Sequence, residues 1–106
     1  MKDRRRGPPK ASKEPAASSS HERQLGFHDQ FYEDFDYWMR TDPRVALRLW
    51  RLMREIMRDP FEGIGKPEPL RHLNGAWSRR ITGEHRITYR VYDDHIDFLG
   101  ARYHYS

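Results

Sequence analysis

Four kinds of side chain that can together cleave RNA without a metal ion lie in two short segments of this sequence. The first, KPEPLRHLNGAWSRRITGEHR at residues 66–86, is rich in arginine and holds Glu68 between two prolines. The second, RYHY at residues 102–105, holds one histidine and two tyrosines. Attack of a 2′-hydroxyl on the adjacent phosphate requires a base, an acid for the leaving oxygen and cations for the phosphate charge. The hypothesis is that the two segments form one RNA-cleaving site.

Each role in this chemistry has a candidate residue. Glu68 could take the 2′ proton, and His104 could protonate the leaving 5′ oxygen, because free histidine ionises near physiological pH. Arg86 could hold the phosphate through two parallel hydrogen bonds, and Tyr105 could orient the phosphate or stack on a base. Plainer interpretations stay open: Glu68 as an ordinary loop acid, His104 as a histidine at the chain end, and Arg86 as a solvated sheet residue.

Other catalytic and metal-binding patterns are missing from the sequence. The six histidines form no HExxH motif and no i, i+4 pair, and the chain has no cysteine, so neither a metal site nor a disulfide is expected. GxSxG, P-loop and GxGxxG motifs are absent as well. The sequence predicts no cofactor.

The net charge of +4 is unevenly distributed. Residues 1–23 carry seven Lys/Arg and three Asp/Glu, whereas residues 24–106 carry thirteen of each. Within the neutral part, residues 66–90 have six basic side chains against two acids, and residues 24–42 have five acids against one arginine. This separation of charge indicates an anion-binding surface better than the net charge does.

The chain divides into a tail and one small domain. Residues 1–22 contain three prolines, four serines and no large apolar residue after Met1, a composition typical of a disordered tail. Residues 23–106 are the predicted domain. No apolar run approaches the roughly 20 residues of a membrane span, and no signal peptide is recognisable, so a soluble cytoplasmic protein without membrane contact is expected.

The elements that must position the candidate residues follow from periodicity. Residues 23–27 are a plausible first strand, and residues 29–40 a helix, whose apolar positions are Phe31, Phe35, Trp38 and Met39. Thr41-Asp42-Pro43 is a helix start signal, so a second helix is predicted from Pro43 to about Arg58. Its expected core positions are Val45, Leu49, Leu52, Met53 and Ile56. Its arginine-rich side is a solvated face or, alternatively, an RNA-backbone contact.

The remainder predicts a structured loop at 61–75 and three antiparallel strands near 76–82, 84–92 and 95–105. Ile87, Tyr89 and Val91 alternate with Arg86, Thr88 and Arg90, so one sheet face should lie under the helices and the other present basic side chains. The predicted fold is therefore α+β: a strand, two helices and a three-stranded meander. Because about 80 residues bury limited surface, a partner protein or a homodimer would add stability.

The motif blocks resemble a known family. DPFEGIGKPEPLRHLNGAWSRRITGEHRITYRV and the terminal ARYHY are similar to the YoeB/Txe toxins of bacterial type II toxin–antitoxin modules, within the RelE/ParE superfamily. FYEDFDYWMRTDPR is similar to that family's first helix and the junction to its second. The resemblance covers residues 24–105 and implies a small RelE-like fold.

The resemblance also implies an activity. Such toxins cleave mRNA in the decoding site of the ribosome by metal-independent acid–base catalysis and are inhibited by a YefM-type antitoxin. The family's catalytic glutamate falls on Glu68, its phosphate-binding arginine on Arg86, its general acid on His104 and its terminal tyrosine on Tyr105. Further basic side chains predicted to contact RNA phosphates are Lys66, Arg71, Arg79 and Arg80.

Four features depart from the family pattern. The segment at 72–75 is one residue shorter, Arg71 replaces a lysine, Ser106 follows the usual terminal tyrosine, and the basic tail lies outside the pattern. Two alternatives to an enzyme are a non-catalytic toxin of the same fold that poisons gyrase, as ParE does, and a degenerate toxin that acts only as a co-repressor with its antitoxin.

Overall fold

The computed structural model describes residues 23–103. The predicted tail at 1–22 and the candidates His104 and Tyr105 lie outside this range. The elements in chain order are β1 (Gln24–Phe27), α1 (Asp29–Thr41), α2 (Pro43–Arg58), β2 (Glu68–Pro69), β3 (Ala76–Thr82), β4 (His85–Val91) and β5 (His95–Gly100).

The strands form one mixed sheet in the order β1-β5-β4-β3-β2. β1 is parallel to β5, whereas β2, β3, β4 and β5 are joined as antiparallel neighbours. The helices pack against one face; on the other, the open face, Arg80 is exposed, whereas Ser78 and Thr88 are buried. The predicted α+β class is confirmed, including the initial strand, the two helices and the antiparallel meander.

Two strand predictions differ from the structure. The segment predicted as loop contains β2, in which Glu68 and Pro69 pair with Ser78 and Trp77. Proline has no N–H to donate and is tolerated only at a sheet edge, where β2 lies. The last strand ends at Gly100 rather than near residue 105, because side chains of α1 bind the backbone of Ala101 and divert the chain.

The helices bury most of the predicted apolar positions. Proline at the start of α2 fixes its first turn, and Leu49, Leu52 and Ile56 are fully buried. Phe31 and Trp38 of α1 are also buried, but Met39 is 54% exposed, so its predicted core position is wrong. Met39 is eight residues beyond Phe31, which turns its side chain roughly 80° towards solvent. Neither helix among residues 23–103 is long and apolar enough to cross a membrane.

On the helix-facing side of the sheet, Ile87, Tyr89, Ile96 and Phe98 are completely buried. Tyr89 brings a hydroxyl group into this core, and that group donates to the Pro60 carbonyl at 2.7 Å. It also accepts a hydrogen bond from Arg79 Nε at 3.1 Å. Burial raises the pKa of Tyr89 above its ordinary value of 10.0, although the neighbouring Arg79 acts in the opposite direction.

The raised pKa of Tyr89 leads us to expect that the fold loses stability at alkaline pH. Because the folded-state pKa of Tyr89 is the higher one, its stabilisation is fully present below pH 10.0 and is lost as the pH rises through the folded-state pKa. Tyr89→Phe should cost roughly 1–3 kcal/mol at neutral pH, since two buried groups lose a partner. The difference in the free energy of unfolding between wild type and Tyr89→Phe should become smaller above pH 10.0. Urea unfolding on both sides of that pH measures this, with the exposed Tyr32→Phe as control.

Candidate functional site

Arg86 is the centre of a polar cluster on the open face of the sheet. Its Nε donates to Ser78 Oγ at 2.8 Å, and its Nη2 donates to the carbonyls of Lys66 at 3.2 Å and Ser78 at 3.3 Å. The side chain is only 12% exposed. Since these bonds fix the guanidinium, a bound anion would meet a cation that is already oriented.

Glu68 lies beside this guanidinium. Its Oε1 is 3.6 Å from Arg86 Nη2, and its side chain is 64% exposed. The sheet register explains the proximity, because Glu68 is the partner of Ser78, the residue that accepts from Arg86. A carboxylate and a cation that are 18 positions apart in the chain thus meet at one solvent-facing point.

The loop before β2 determines where Glu68 lies. Gly65 and Lys66 both have positive φ, at +84° and +54°, so the chain turns sharply there. The Gly65 carbonyl accepts from the Arg80 amide at 2.6 Å, which joins the loop to β3. The Lys66 side chain is exposed next to the cluster, while its carbonyl is bound to Arg86.

Arg80 belongs to the same face as Arg86, whereas Arg71 lies in a loop. Arg80 is exposed and is the direct cross-strand partner of Arg86. Like charges directly opposite each other repel, and an anion between them would relieve that repulsion. Arg71 is exposed in the loop between β2 and β3, and among residues 23–103 no hydrogen bond or ion pair joins it to Glu68 or Arg86.

The structure does not bring Arg79 into this cluster. Arg79 is fully buried on the helix-facing side of β3, and its guanidinium donates to the Glu62 and Ile64 carbonyls at 3.1 and 3.2 Å and to the Asp59 carbonyl. A side chain without access to solvent cannot contact RNA, so the predicted phosphate contact is wrong for this residue. Alternation along β3 places Arg79 and Arg80 on opposite faces.

The segment after β5 is attached to the same region. The Arg86 amide donates to the Tyr103 carbonyl at 2.8 Å, and the Tyr103 amide donates to His85 Nδ1 at 2.8 Å. Tyr103 is the last residue described, so the structure places neither His104 nor Tyr105, which follow it in the sequence. The predicted proximity of these two residues to Glu68 stays a prediction.

Residues that sequence reasoning missed hold this segment in place. Asp34 is 2% exposed and accepts from the Ala101 amide at 2.8 Å, while Trp38 Nε1 donates to the Ala101 carbonyl at 2.8 Å. Helical periodicity contained a signal for Asp34, because it falls between Phe31 and Trp38 on the buried side of α1. An acid in that position indicates a buried hydrogen-bond acceptor rather than a surface charge.

The cluster can bind and polarise a phosphodiester. It combines the oriented guanidinium of Arg86, the exposed carboxylate of Glu68 and the exposed side chain of Arg80, with the buried Ser78 hydroxyl bound to Arg86. Among residues 23–103, no group of three or more histidine, aspartate and glutamate side chains is arranged to hold a metal ion.

Two helices pack on one face of a small sheet, a basic cluster lies on the other face, and comparison with known proteins identifies the family. The profile of a "YoeB-like toxin of bacterial type II toxin-antitoxin system" matches residues 27–105. The chain belongs to this family and is a toxin of a type II toxin–antitoxin system. The family resemblance seen in the sequence is thereby confirmed.

Individual relatives agree with this assignment. Toxin YoeB of Mycobacterium bovis is 54% identical over 84 residues, which cover 78% of this chain and 99% of the relative. A YoeB dimer from Staphylococcus aureus has a TM-score of 0.72 and 40% identity, covering 79% of this chain and 99% of that one. A YoeB–YefM complex from the same organism has a TM-score of 0.69 and 38% identity, with the same coverage.

Proposed function

We propose that this toxin is a ribosome-dependent endoribonuclease that cleaves mRNA in the decoding site through attack of the 2′-hydroxyl, without a catalytic metal ion. The observation that carries the proposal is the Glu68–Arg86 pair on the open sheet face, with 3.6 Å between the carboxylate oxygen and the guanidinium nitrogen. A base next to a fixed cation is what the first step of this reaction requires.

In this mechanism Glu68 removes the 2′ proton, and the resulting alkoxide attacks phosphorus. Arg86 neutralises the charge that develops on the phosphoryl oxygens, assisted by Arg80 across the strand pair. One positioned donor of this kind is typically worth about 10²–10³ in rate.

His104 protonates the leaving 5′ oxygen, and Tyr105 orients the nucleotide. Support for these roles comes from the sequence motif and from the hydrogen bond between the Arg86 amide and the Tyr103 carbonyl, one residue before His104. Lys66 and Arg71, both exposed, add positive charge for the mRNA backbone.

A YefM-like antitoxin would inhibit the toxin. Support comes from the related YoeB–YefM complex and from the exposed basic cluster, which an acidic segment that folds on binding could cover. A homodimer is proposed on the basis of the related YoeB dimer. Action on ribosomes places the active toxin in the cytoplasm.

The chemistry of the cut tests the proposal. Programmed ribosomes should be incubated with the toxin and an mRNA that carries a single 2′-deoxynucleotide at the cleaved position. We expect the all-ribose mRNA to be cut to a 2′,3′-cyclic phosphate and the deoxy-substituted mRNA to stay intact, because the nucleophile is missing. Cleavage of both at equal rates, or of neither, would refute the mechanism.

A further inference from the structure

Arg79 is a fully buried cation whose function is not explained by RNA binding. Among residues 23–103 no ion pair joins it to a carboxylate. Burial of a charge is costly unless the group is paired or fully hydrogen-bonded. Arg79 meets this requirement with oxygen atoms of neutral groups: the Tyr89 hydroxyl and the carbonyls of Asp59, Glu62 and Ile64.

The position of these carbonyls explains how a buried cation is tolerated without a direct ion pair. Asp59 is the C-cap of α2, so its carbonyl belongs to the end of the helix that carries partial negative charge. The other two carbonyls belong to the loop that leaves this helix. The planar guanidinium has five donors in a fixed fork, which suits a set of acceptors spread along a curved chain.

The loop is packed closely around this side chain. A Cβ on Gly65 would lie 3.0 Å from Arg79 Cβ, and one on Gly63 would lie 2.9 Å from Arg79 Nη1. The Tyr89 hydroxyl holds the Pro60 carbonyl beside it at 2.7 Å. Arg79 therefore binds three of the carbonyls in residues 59–65 and packs against two of the glycines.

The same segment continues directly into the candidate site. Lys66 follows the packed loop, and its carbonyl accepts a hydrogen bond from Arg86. Glu68 lies two residues further on, beside the same guanidinium. Arg79 and Arg86 thus bind successive parts of one segment from opposite faces of the sheet.

We propose that Arg79 is a positioning residue: by holding the 59–65 loop, its guanidinium places Glu68 at the phosphate-binding Arg86. This inference rests on the proposed nuclease function. Displacement of a catalytic group by about 1 Å can lower a rate roughly 100-fold.

Arg79→Lys tests the proposal, because lysine keeps the charge but cannot bridge the spread acceptors. In ribosome-dependent cleavage we expect kcat to fall about 10- to 100-fold with KM within about twofold of wild type. The matched control is Arg23→Lys, which alters another arginine that binds a backbone carbonyl, that of Tyr92 at 2.7 Å. That variant should keep kcat within about twofold, because Arg23 precedes β1, at the opposite edge of the sheet from β2.

A double-mutant cycle separates positioning from general destabilisation. In a Glu68→Ala background, Arg79→Lys should change the residual rate less than about twofold, since the group it positions is gone. Multiplicative effects of the two substitutions would overturn the inference. If Arg79→Lys does not fold, Tyr89→Phe takes its place in the cycle. Tyr89→Phe removes one acceptor of the same guanidinium, so a smaller loss of cleavage rate is expected.

An NMR measurement keeps the inference testable if the wild type cleaves no RNA. The Arg86 Nε–H signal reports the hydrogen bond to Ser78 Oγ and hence the geometry of the site. We expect this signal to move in Arg79→Lys and to stay in place in Arg23→Lys. An unmoved signal in both variants would contradict positioning by Arg79, whereas an inactive wild type with a moved signal would contradict only the nuclease proposal.

Discussion

Replacing Glu68 and His104 together by alanine is expected to abolish cleavage of ribosome-bound mRNA. Each residue is proposed to transfer one proton in the same reaction, and a general base or acid typically contributes about 10²–10⁴ in rate. Because the two groups act in one transition state, the cleavage rate of the double variant should fall by less than the product of the losses in the two single variants. Primer extension on mRNA from a reconstituted translation reaction measures the residual cutting.

The matched control replaces an acid and a histidine elsewhere in the fold. Glu33 and His28 are both exposed and lie away from the β2–β3–β4 end of the sheet, so Glu33→Ala with His28→Ala should cleave like wild type. Equal cleavage by wild type and the Glu68/His104 variant would show that the mechanism is wrong. Circular dichroism should establish that both double variants are folded.

Gly65→Ala is expected to be strongly destabilising, at roughly 2–5 kcal/mol. Its φ of +84° disfavours any residue with a Cβ, which costs about 1–2 kcal/mol. The added carbon would also lie 3.0 Å from Leu52 Cδ2 and 3.1 Å from the Arg80 carbonyl. Overpacking of this kind adds roughly 1–3 kcal/mol. For a domain of this size the loss corresponds to a fall in Tm of roughly 10–40 °C.

Gly83→Ala is the control for the backbone contribution alone. Gly83 also has positive φ, at +53°, but nothing lies within 4 Å of the added carbon. We expect a loss of about 1 kcal/mol, and the difference between the variants measures the packing of the loop on Arg79 and Leu52. Similar losses for both alanines would contradict the close packing.

The candidate site was only partly accessible from the sequence. Resemblance to the family singled out Glu68, Arg80 and Arg86, and the structure brings these three side chains to one face. Their catalytic roles remain proposals, as do those of His104 and Tyr105. Arg79 could not be separated from Arg80 by composition, because both are arginines in a basic segment. Only the register of β3 shows that one faces the core and the other faces solvent.

The sequence by itself determined the elements whose signals are local. Proline at position 43 and the apolar repeat that follows it gave α2 its observed bounds, and Ala76–Thr82 was predicted as the strand that the structure contains. The helix-facing positions of β4 were correct for Ile87 and Tyr89, which are fully buried, but Thr88 on the other face is buried as well. These features depend on residues a few positions apart, which is the range over which periodicity and capping act.

Only the tertiary structure decided how distant parts of the chain meet. β2 exists because Glu68 and Pro69 reach the edge of β3, and the strand after His95 ends early because Asp34 and Trp38 bind Ala101. The burial of Arg79 likewise requires carbonyls from residues 15 to 20 positions away. A polar group can be buried wherever its partners are supplied, and those partners come from segments that no local pattern links to it.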